Sequence, residues 1–269
     1  MTETMTTIHA KGISRRGWLR WTMILGAAAA LPGRVWAAVA RPEAAFGATA
    51  LDEALAALGD TPQVHKGIQF TTPDIAENGA VVPIRVEVDS GALPNVSKVS
   101  VLVEMNPNPL AASFDIPPGT EVYIETRVKV AQTCTLYAVA EADGQLYVQS
   151  RETKVTLGRM WRLRRTPWQV ESRFVPRKGD ITEVKALMRH PMETGMRKDQ
   201  AGDPIPAHFI TEVSVFHGDQ PVMQGHWGAA VSANPFLGVR FAGGESGDTV
   251  RVVWTDNQGG SGEGETTIR

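Results

Sequence analysis

Hydrophobic and polar residues alternate with a period of two through most of this chain. Ile84, Val86 and Val88 are separated by Arg85 and Glu87. Val99, Val101 and Val103 form one face of a second run, with Ser100, Leu102 and Glu104 opposite. Val122, Ile124, Thr126, Val128 and Val130 alternate with Glu121, Tyr123, Glu125, Arg127 and Lys129. Successive side chains of an extended strand point to opposite faces, so each run predicts a strand with one face in a core. Asp143-Gly144 predicts a hairpin turn between two further strands. Before these runs, Leu51, Ala54, Leu55 and Leu58 recur at helical spacing. Thr49-Ala50-Leu51-Asp52 predicts a capped start to this one short N-terminal helix, and Gly59 its end.

The second half repeats the strand pattern with a different sequence. Val184, Ala186 and Met188 alternate with Glu183 and Lys185. Thr211 to Phe216 and Val222 to Trp227 flank a Gly218-Asp219 turn. Phe236 to Phe241 and Thr249 to Thr255 predict two more strands, and Glu265 to Ile268 a last short one after a turn spanning Gly259 to Gly264. Short strands joined by turns rich in Gly and Pro predict an all-β chain of two antiparallel β-sandwiches.

The first forty residues break this pattern. Ser14-Arg15-Arg16-Gly17-Trp18-Leu19-Arg20 precedes an apolar stretch from Trp21 to Leu31. Val35-Trp36-Ala37 and Ala38-Val39-Ala40 each fit a small-x-small cleavage site. A charged start, a short apolar middle and small residues at the end predict a signal peptide. The apolar stretch is too short to span a bilayer comfortably. The paired arginines resemble a twin-arginine signal, which carries proteins already folded. The expected location is the periplasm, with no membrane association after cleavage.

Charge and cysteine content narrow the chemistry. A net charge of −2 over 269 residues gives no field that would gather nucleic acid or a membrane surface. The segment Arg159-Met160-Trp161-Arg162-Leu163-Arg164-Arg165-Thr166-Pro167-Trp168 is locally basic and aromatic. The rest of the chain is not basic, so no nucleic-acid partner is expected. One cysteine, Cys134, excludes an intramolecular disulfide and a Cys-rich zinc site. It shares a strand face with Leu136 and Ala138 and reads as core.

His190, Glu193 and His208 could evoke a metal site, but Pro191 disfavours the helix that would align the first two. Asp256, Asn257, Gly259 and Gly260 lack the ordered acidic spacing of a calcium loop. His217 and His226 flank a hairpin and are expected on the surface. No Ser-His-Asp arrangement or phosphate loop stands at a convincing spacing. The residues therefore predict no catalytic residue, no cofactor and no metal.

Two sets of spaced motifs point to known families. Thr72-Pro73-Asp74-Ile75-Ala76-Glu77-Asn78-Gly79-Ala80-Val81-Val82-Pro83-Ile84 resembles SoxY. Asn106-Pro107-Asn108-Pro109-Leu110-Ala111, the run from Arg127 to Thr133 and the run from Arg151 to Gly158 continue that resemblance over about residues 42–158. Glu183-Val184-Lys185-Ala186-Leu187, His190-Pro191-Met192-Glu193-Thr194-Gly195, the run from Pro204 to Ile210 and Asn234-Pro235-Phe236-Leu237 resemble SoxZ over about residues 171–268.

The implied layout is a signal at 1–40, a SoxY-like domain at 42–158, a basic junction at 159–170 and a SoxZ-like domain at 171–269. The resemblance further implies immunoglobulin-like sandwiches that associate in the periplasm and serve the thiosulfate-oxidation enzymes of the Sox system as a carrier, neither being itself an enzyme. In that family a cysteine on a Gly-Gly-Cys-Gly-Gly arm bears the sulfur covalently. A thiolate is the reactive form of such a group, and glycine frees an arm to enter active sites. The two halves are expected to dock apolar strand face to apolar strand face.

The sequence departs from that family where the arm should be. After Leu157-Gly158 comes Arg159-Met160-Trp161-Arg162, so the sulfur-binding cysteine expected near Met160 and Trp161 is absent. Met-Trp is necessarily encoded ATG-TGG, which contains TGT in a shifted frame. With allowed codons for Arg159, Arg162, Leu163 and Arg164, that frame reads Gly-Cys-Gly-Gly-stop. The expectation is two adjacent genes joined by a one-base frameshift, real or from sequencing, leaving this chain inactive as a covalent carrier. A non-covalent binding fusion, and more distantly a metal-dependent enzyme using His190 and His208, are the alternatives.

Overall fold

In this computed structural model, residues 39–156, 169–175 and 181–268 are described, the stretch 169–175 by its backbone alone. Residues 1–38 of the expected signal, and the junction around Met160 and Trp161, lie outside the described residues.

The regular structure of the described chain is almost wholly strand. Two short helices come first, α1 (Glu43–Gly47) and α2 (Leu51–Leu58). The strands of the first half are β1 (Gln63–Val64), β2 (Ile68–Thr71), β3 (Ile75–Ala76), β4 (Val82–Val88), β5 (Val96–Val103), β6 (Leu110–Asp115), β7 (Tyr123–Val128), β8 (Cys134–Ala142) and β9 (Gln145–Val155). The second half supplies β10 (Gln169–Val175), β11 (Ile181–Leu187), β12 (Ile210–His217), β13 (Gln220–Trp227), β14 (Phe236–Ala242), β15 (Thr249–Asp256) and β16 (Ser261–Thr267).

The predicted alternation is realised most cleanly in β4, where Val82, Ile84, Val86 and Val88 are all buried. In β5 the alternation fails to give an exposed face. Ser100 and Leu102 are buried as well as Val99, Val101 and Val103. The cause is a second, smaller core on the outer side of this sheet. There Leu102, Leu110, Val139 and Leu146 meet Ala45, Phe46 and Ala54 of α1 and α2.

The helical expectation needs two corrections. A second helix, α1, precedes the predicted one. The N-cap of α2 is Ala50, which makes no side-chain cap, while the Thr49 amide donates to Glu53 Oε2 at 3.2 Å. Gly59 closes α2 as expected, its N–H donating to Leu55 O. At the other end, the turn expected over Gly259 to Gly264 is shorter. Strand β16 starts at Ser261 and pairs along β15.

The strand order corrects the expected docking of the halves. One sheet runs β1-β9-β8-β5-β6-β13-β12-β15-β16, with β3 also on β9, and the other runs β10-β11-β14-β7-β4-β2. Both sheets cross from the first half to the second. The halves meet edge to edge, not face to face. In one sheet β6 pairs antiparallel with β13, Phe114 opposite Gly225 and Ala112 opposite Trp227. In the other β7 pairs antiparallel with β14, Thr126 opposite Leu237 and Ile124 opposite Val239.

An unpaired strand edge leaves backbone donors and acceptors unmet, and each half here covers an edge of the other. Alternation along a strand reports its faces and carries no information about its edges, which is why the sequence pattern favoured the wrong contact.

The seam depends on close approach. A Cβ at Gly225 would lie 2.9 Å from Phe114 Cδ1, so only glycine lets Phe114 fill the core at that point. Further bonds tie the same line. Thr126 Oγ1 donates to Phe236 O at 2.7 Å. The Lys129 amide donates to Ala230 O at 2.7 Å, and the Gly228 amide to Ala111 O at 2.8 Å. The guanidinium of Arg240 lies 3.7 Å from the Tyr123 ring centroid across the seam, held from behind by Glu183.

Candidate functional site

The single thiol is not placed for chemistry at the surface. Cys134 opens β8 and is 6% exposed, on the same buried face as Leu136 and Ala138. Burial pushes its thiol above the usual value. A group that ionises less readily and touches little solvent is a poor nucleophile toward another protein.

The histidine cluster is real but has a different membership from the expected set. His190 Nε2 lies 3.3 Å from Asp256 Oδ2, and His208 Nε2 lies 2.9 Å from the same oxygen. Glu193 takes no part. Its carboxylate is held by the Arg197 guanidinium, and its backbone pairs with that of His208. Asp256 Oδ1 accepts from the amides of Gln258 and Gly260, so its loop is a hydrogen-bonded turn. Burial alone would raise the Asp256 carboxyl. The bonds from His208, from those two amides and from His190 outweigh it and hold the group at about 2.

The three facing ligand atoms lie within 4.8 Å of one another, close enough to suggest a metal. The second nitrogen of His190 argues otherwise. Its Nδ1 accepts the Met192 N–H at 3.2 Å. A neutral imidazole that bound a metal through Nε2 would carry its proton on Nδ1, facing that N–H. Met192 is pinned there by its other contacts. Its backbone is left-handed, with φ 48°, and its carbonyl accepts from Lys129. The donor set therefore fits a hydrogen-bonded hub: His190 protonated on Nε2 and donating to Asp256.

Neither flanking histidine is freely exposed as expected. His226 is buried, with Nε2 3.4 Å from Asp115 Oδ2, because it sits on β13 where that strand joins β6. His217 is half-buried, with Nε2 2.8 Å from Asp248 Oδ2.

A cavity of about 420 Å3 opens between the two halves. Its walls include Phe46, Leu110 and Val130 from the first half and Phe209, Ala229 and Ala230 from the second. Among the described residues its charged lining is Arg41 and Lys129. Lys129 Nζ donates to Met192 O at 2.5 Å and to Ala229 O at 2.6 Å. Burial lowers that ammonium to about 8, partly opposed by the nearby Glu193. Arg41 Nη1 donates to Thr211 O at 2.9 Å and to Trp227 O at 2.7 Å, and its guanidinium lies 3.6 Å from the Phe46 ring centroid.

The last described residues of the first half pass beside this cavity. The Thr156 amide donates to Ala76 O, and a Cβ on Gly79, which lines the cavity, would lie 2.9 Å from Val155 Cγ1. Sequence alternation assigned Lys129 only an outward-facing position. The partner surface that covers it comes from a hundred residues further on, and no local pattern announces it.

Comparison with known proteins decides what the two halves are. Residues 54–159 match the family model "Sulfur oxidation protein SoxY", and residues 173–267 match "Sulphur oxidation protein SoxZ". The chain belongs to the SoxY and SoxZ families, one domain of each. The sulfur carrier protein SoxY from Chlorobium limicola f thiosulfatophilum is similar to the SoxY domain. It is 38% identical, with a TM-score of 0.37, over 41% of this chain and 96% of that one.

A β-glucuronidase from Parabacteroides merdae is 10% identical with a TM-score of 0.23, and a β-glycosidase from Bacteroides vulgatus is 10% identical with a TM-score of 0.24. This chain spans about a quarter of each (24% and 26%). No curated protein sequence matches the chain. The cavity thus lies between a SoxY domain and a SoxZ domain, and the histidine hub lies within the SoxZ domain.

Proposed function

We propose that this protein is a periplasmic SoxYZ-type carrier of sulfur-oxidation intermediates from which the covalent attachment point is missing. The observation that carries the reading is the pairing of the two family domains in one chain, joined strand to strand along both sheets. A carrier needs a reachable thiolate, and the thiol present here is buried in β8. An arm leaving after Thr156 would begin next to the cavity, within reach of both domains. The partners on this reading are the sulfur-oxidation enzymes, met after export through the signal at 1–40. Joining the domains covalently raises their effective concentration for one another and adds no contact.

The test restores the arm. Replacing residues after Leu157 with Gly-Gly-Cys-Gly-Gly, ending that chain there and co-expressing the SoxZ domain should give a complex that gains sulfur mass from thiosulfate and the partner enzymes. The original chain should gain none. Failure of the restored complex to gain sulfur would remove the carrier reading. Thermal stabilisation of the original chain by sulfur compounds, with no covalent mass, would favour a binding fusion.

A further inference from the structure

We propose that the fold itself selects the bond at which the exported chain is cut: Ala37–Ala38 is taken, because Ala40–Arg41 is locked against the SoxZ domain. That the chain is exported rests on the carrier reading; the lock at Arg41 stands on the structure alone.

The sequence offers two small-x-small sites, Val35-Trp36-Ala37 and Ala38-Val39-Ala40, and spacing favours neither. Tolerance to cutting is set by the burial and hydrogen bonding of the backbone around the bond. A protease takes its substrate as an extended strand running through that bond. A cut after Ala40 therefore needs Arg41, Pro42 and the residues behind them drawn out of the fold.

These residues are held. Arg41 Nη1 donates to Thr211 O at 2.9 Å and to Trp227 O at 2.7 Å, both backbone carbonyls of the SoxZ domain. Its Nε meets Glu43 Oε1 at 3.3 Å, and its guanidinium lies 3.6 Å from the Phe46 ring centroid. The backbone is engaged as well. The Glu43 amide donates to Arg41 O at 2.9 Å, and the Phe46 amide to Pro42 O at 3.1 Å. Helix α1 begins directly after Pro42 and buries Ala45 and Phe46. Drawing this segment into an active site would unwind α1, uncover the phenyl ring and strip Arg41 of its acceptors.

The earlier bond leaves a lead in front of the lock. Ala38, Val39 and Ala40 separate it from Arg41. Val39 and Ala40 belong to no helix or strand, and Ala40 is exposed. Hydrolysis there adds one water across Ala37–Ala38, leaving a carboxylate on Ala37 and an ammonium on Ala38. A chain that crosses the membrane already folded presents the lock to the peptidase before any cut is made. Because both acceptors of Arg41 Nη1 belong to the SoxZ domain, the later bond is protected when the domains are docked. A protected bond is cut through its open form, so the rate follows how often the segment opens.

Two measurements test this. The first does not depend on export. Elastase cuts after small residues whatever precedes them. In the purified, folded full-length chain it should leave Ala40–Arg41 intact over a period in which a synthetic peptide of residues 34–48 is cut there completely. Arg41→Gln should speed that cut in the folded chain by roughly tenfold, the loss of about one charge-assisted bond. Phe46→Leu keeps Arg41 but removes the ring beneath it, and should speed the cut by a smaller factor. The second measurement is the intact mass of the mature protein recovered from the periplasm, which should match a chain starting at Ala38.

A mature chain starting at Arg41 would overturn the proposal. So would elastase cutting the folded wild type at Ala40–Arg41 as fast as it cuts both variants. A chain left uncut in the cell would fail the export reading instead, and elastase would then decide the lock by itself.

Discussion

Two polar regions of this molecule contrast in how fully their groups are matched. The hub of His190, His208 and Asp256 lies inside the SoxZ domain and closes on itself. One carboxylate oxygen faces two imidazoles, the other takes two backbone amides, and the far nitrogen of His190 takes a third. The cavity around Lys129 and Arg41 needs both domains and ends with donors left over. Clusters of ionisable residues draw attention in a sequence or a structure, yet the complete one here is a structural tie. The incomplete one keeps an ammonium with two bonds at the seam between the two domains.

The hub should be the more costly to break. Asp256→Ala leaves two imidazoles and two amides without their acceptor and should destabilise the chain by about 3 kcal/mol, read as a urea midpoint shift. The pH dependence has a definite sign. Asp256 is depressed from 3.8 to about 2, so its contribution is fully present above the unfolded value and is lost as pH falls through that window. Acid titration of the wild type should show this loss, and Asp256→Asn should flatten it.

Breaking the seam should separate the two regions. Gly225→Val drives side-chain atoms into Phe114 and should cost about 2 kcal/mol. Calorimetry should then show two thermal transitions in place of one. Because the hub belongs to one domain and the cavity to two, the acid-side stability loss from Asp256 should persist while the alkaline rise from Lys129 disappears.

A smaller effect is expected from Lys129→Met, which removes both the cost of burying an ammonium and its two bonds to carbonyls. The net loss near neutral pH should be about 1 kcal/mol. Alkaline titration is more telling. Lys129 is lowered from 10.5 to about 8, so between these values the unfolded chain binds the extra proton and wild-type stability rises with pH. The variant should lack that rise. Smallest of all is the effect of zinc. With Met192 N–H directed at His190 Nδ1, added zinc should leave the melting temperature of the wild type unchanged.

How much of this was legible beforehand depends on the range of the interaction. Alternation located β4, β12 and β14 because a strand's faces are written in adjacent residues. The motifs from Thr72 to Ile84 and from His190 to Gly195 carried both families. The second face of β5 was hidden because Leu102 is covered by helices some fifty residues earlier. The edge-to-edge seam was hidden because backbone pairing leaves little trace in side-chain polarity, apart from glycines such as Gly225. His226 was misread as a surface residue for the same cause: its strand lies at the seam. Asp256 was noticed for a calcium loop, whereas its partners His190 and His208 come from loops 66 and 48 residues away.

The central claim is that the chain has a sulfur carrier's two domains without a thiol that anything can reach. Maleimide labelling of the purified chain, followed by intact mass, tests it most directly. Cys134 should remain unlabelled in buffer over a period in which an exposed thiol reacts completely, and should label fully once the chain is unfolded in urea. Rapid labelling of the folded chain, accompanied by a gain of sulfur mass from thiosulfate and the partner enzymes, would contradict the account and make Cys134 itself the carrier.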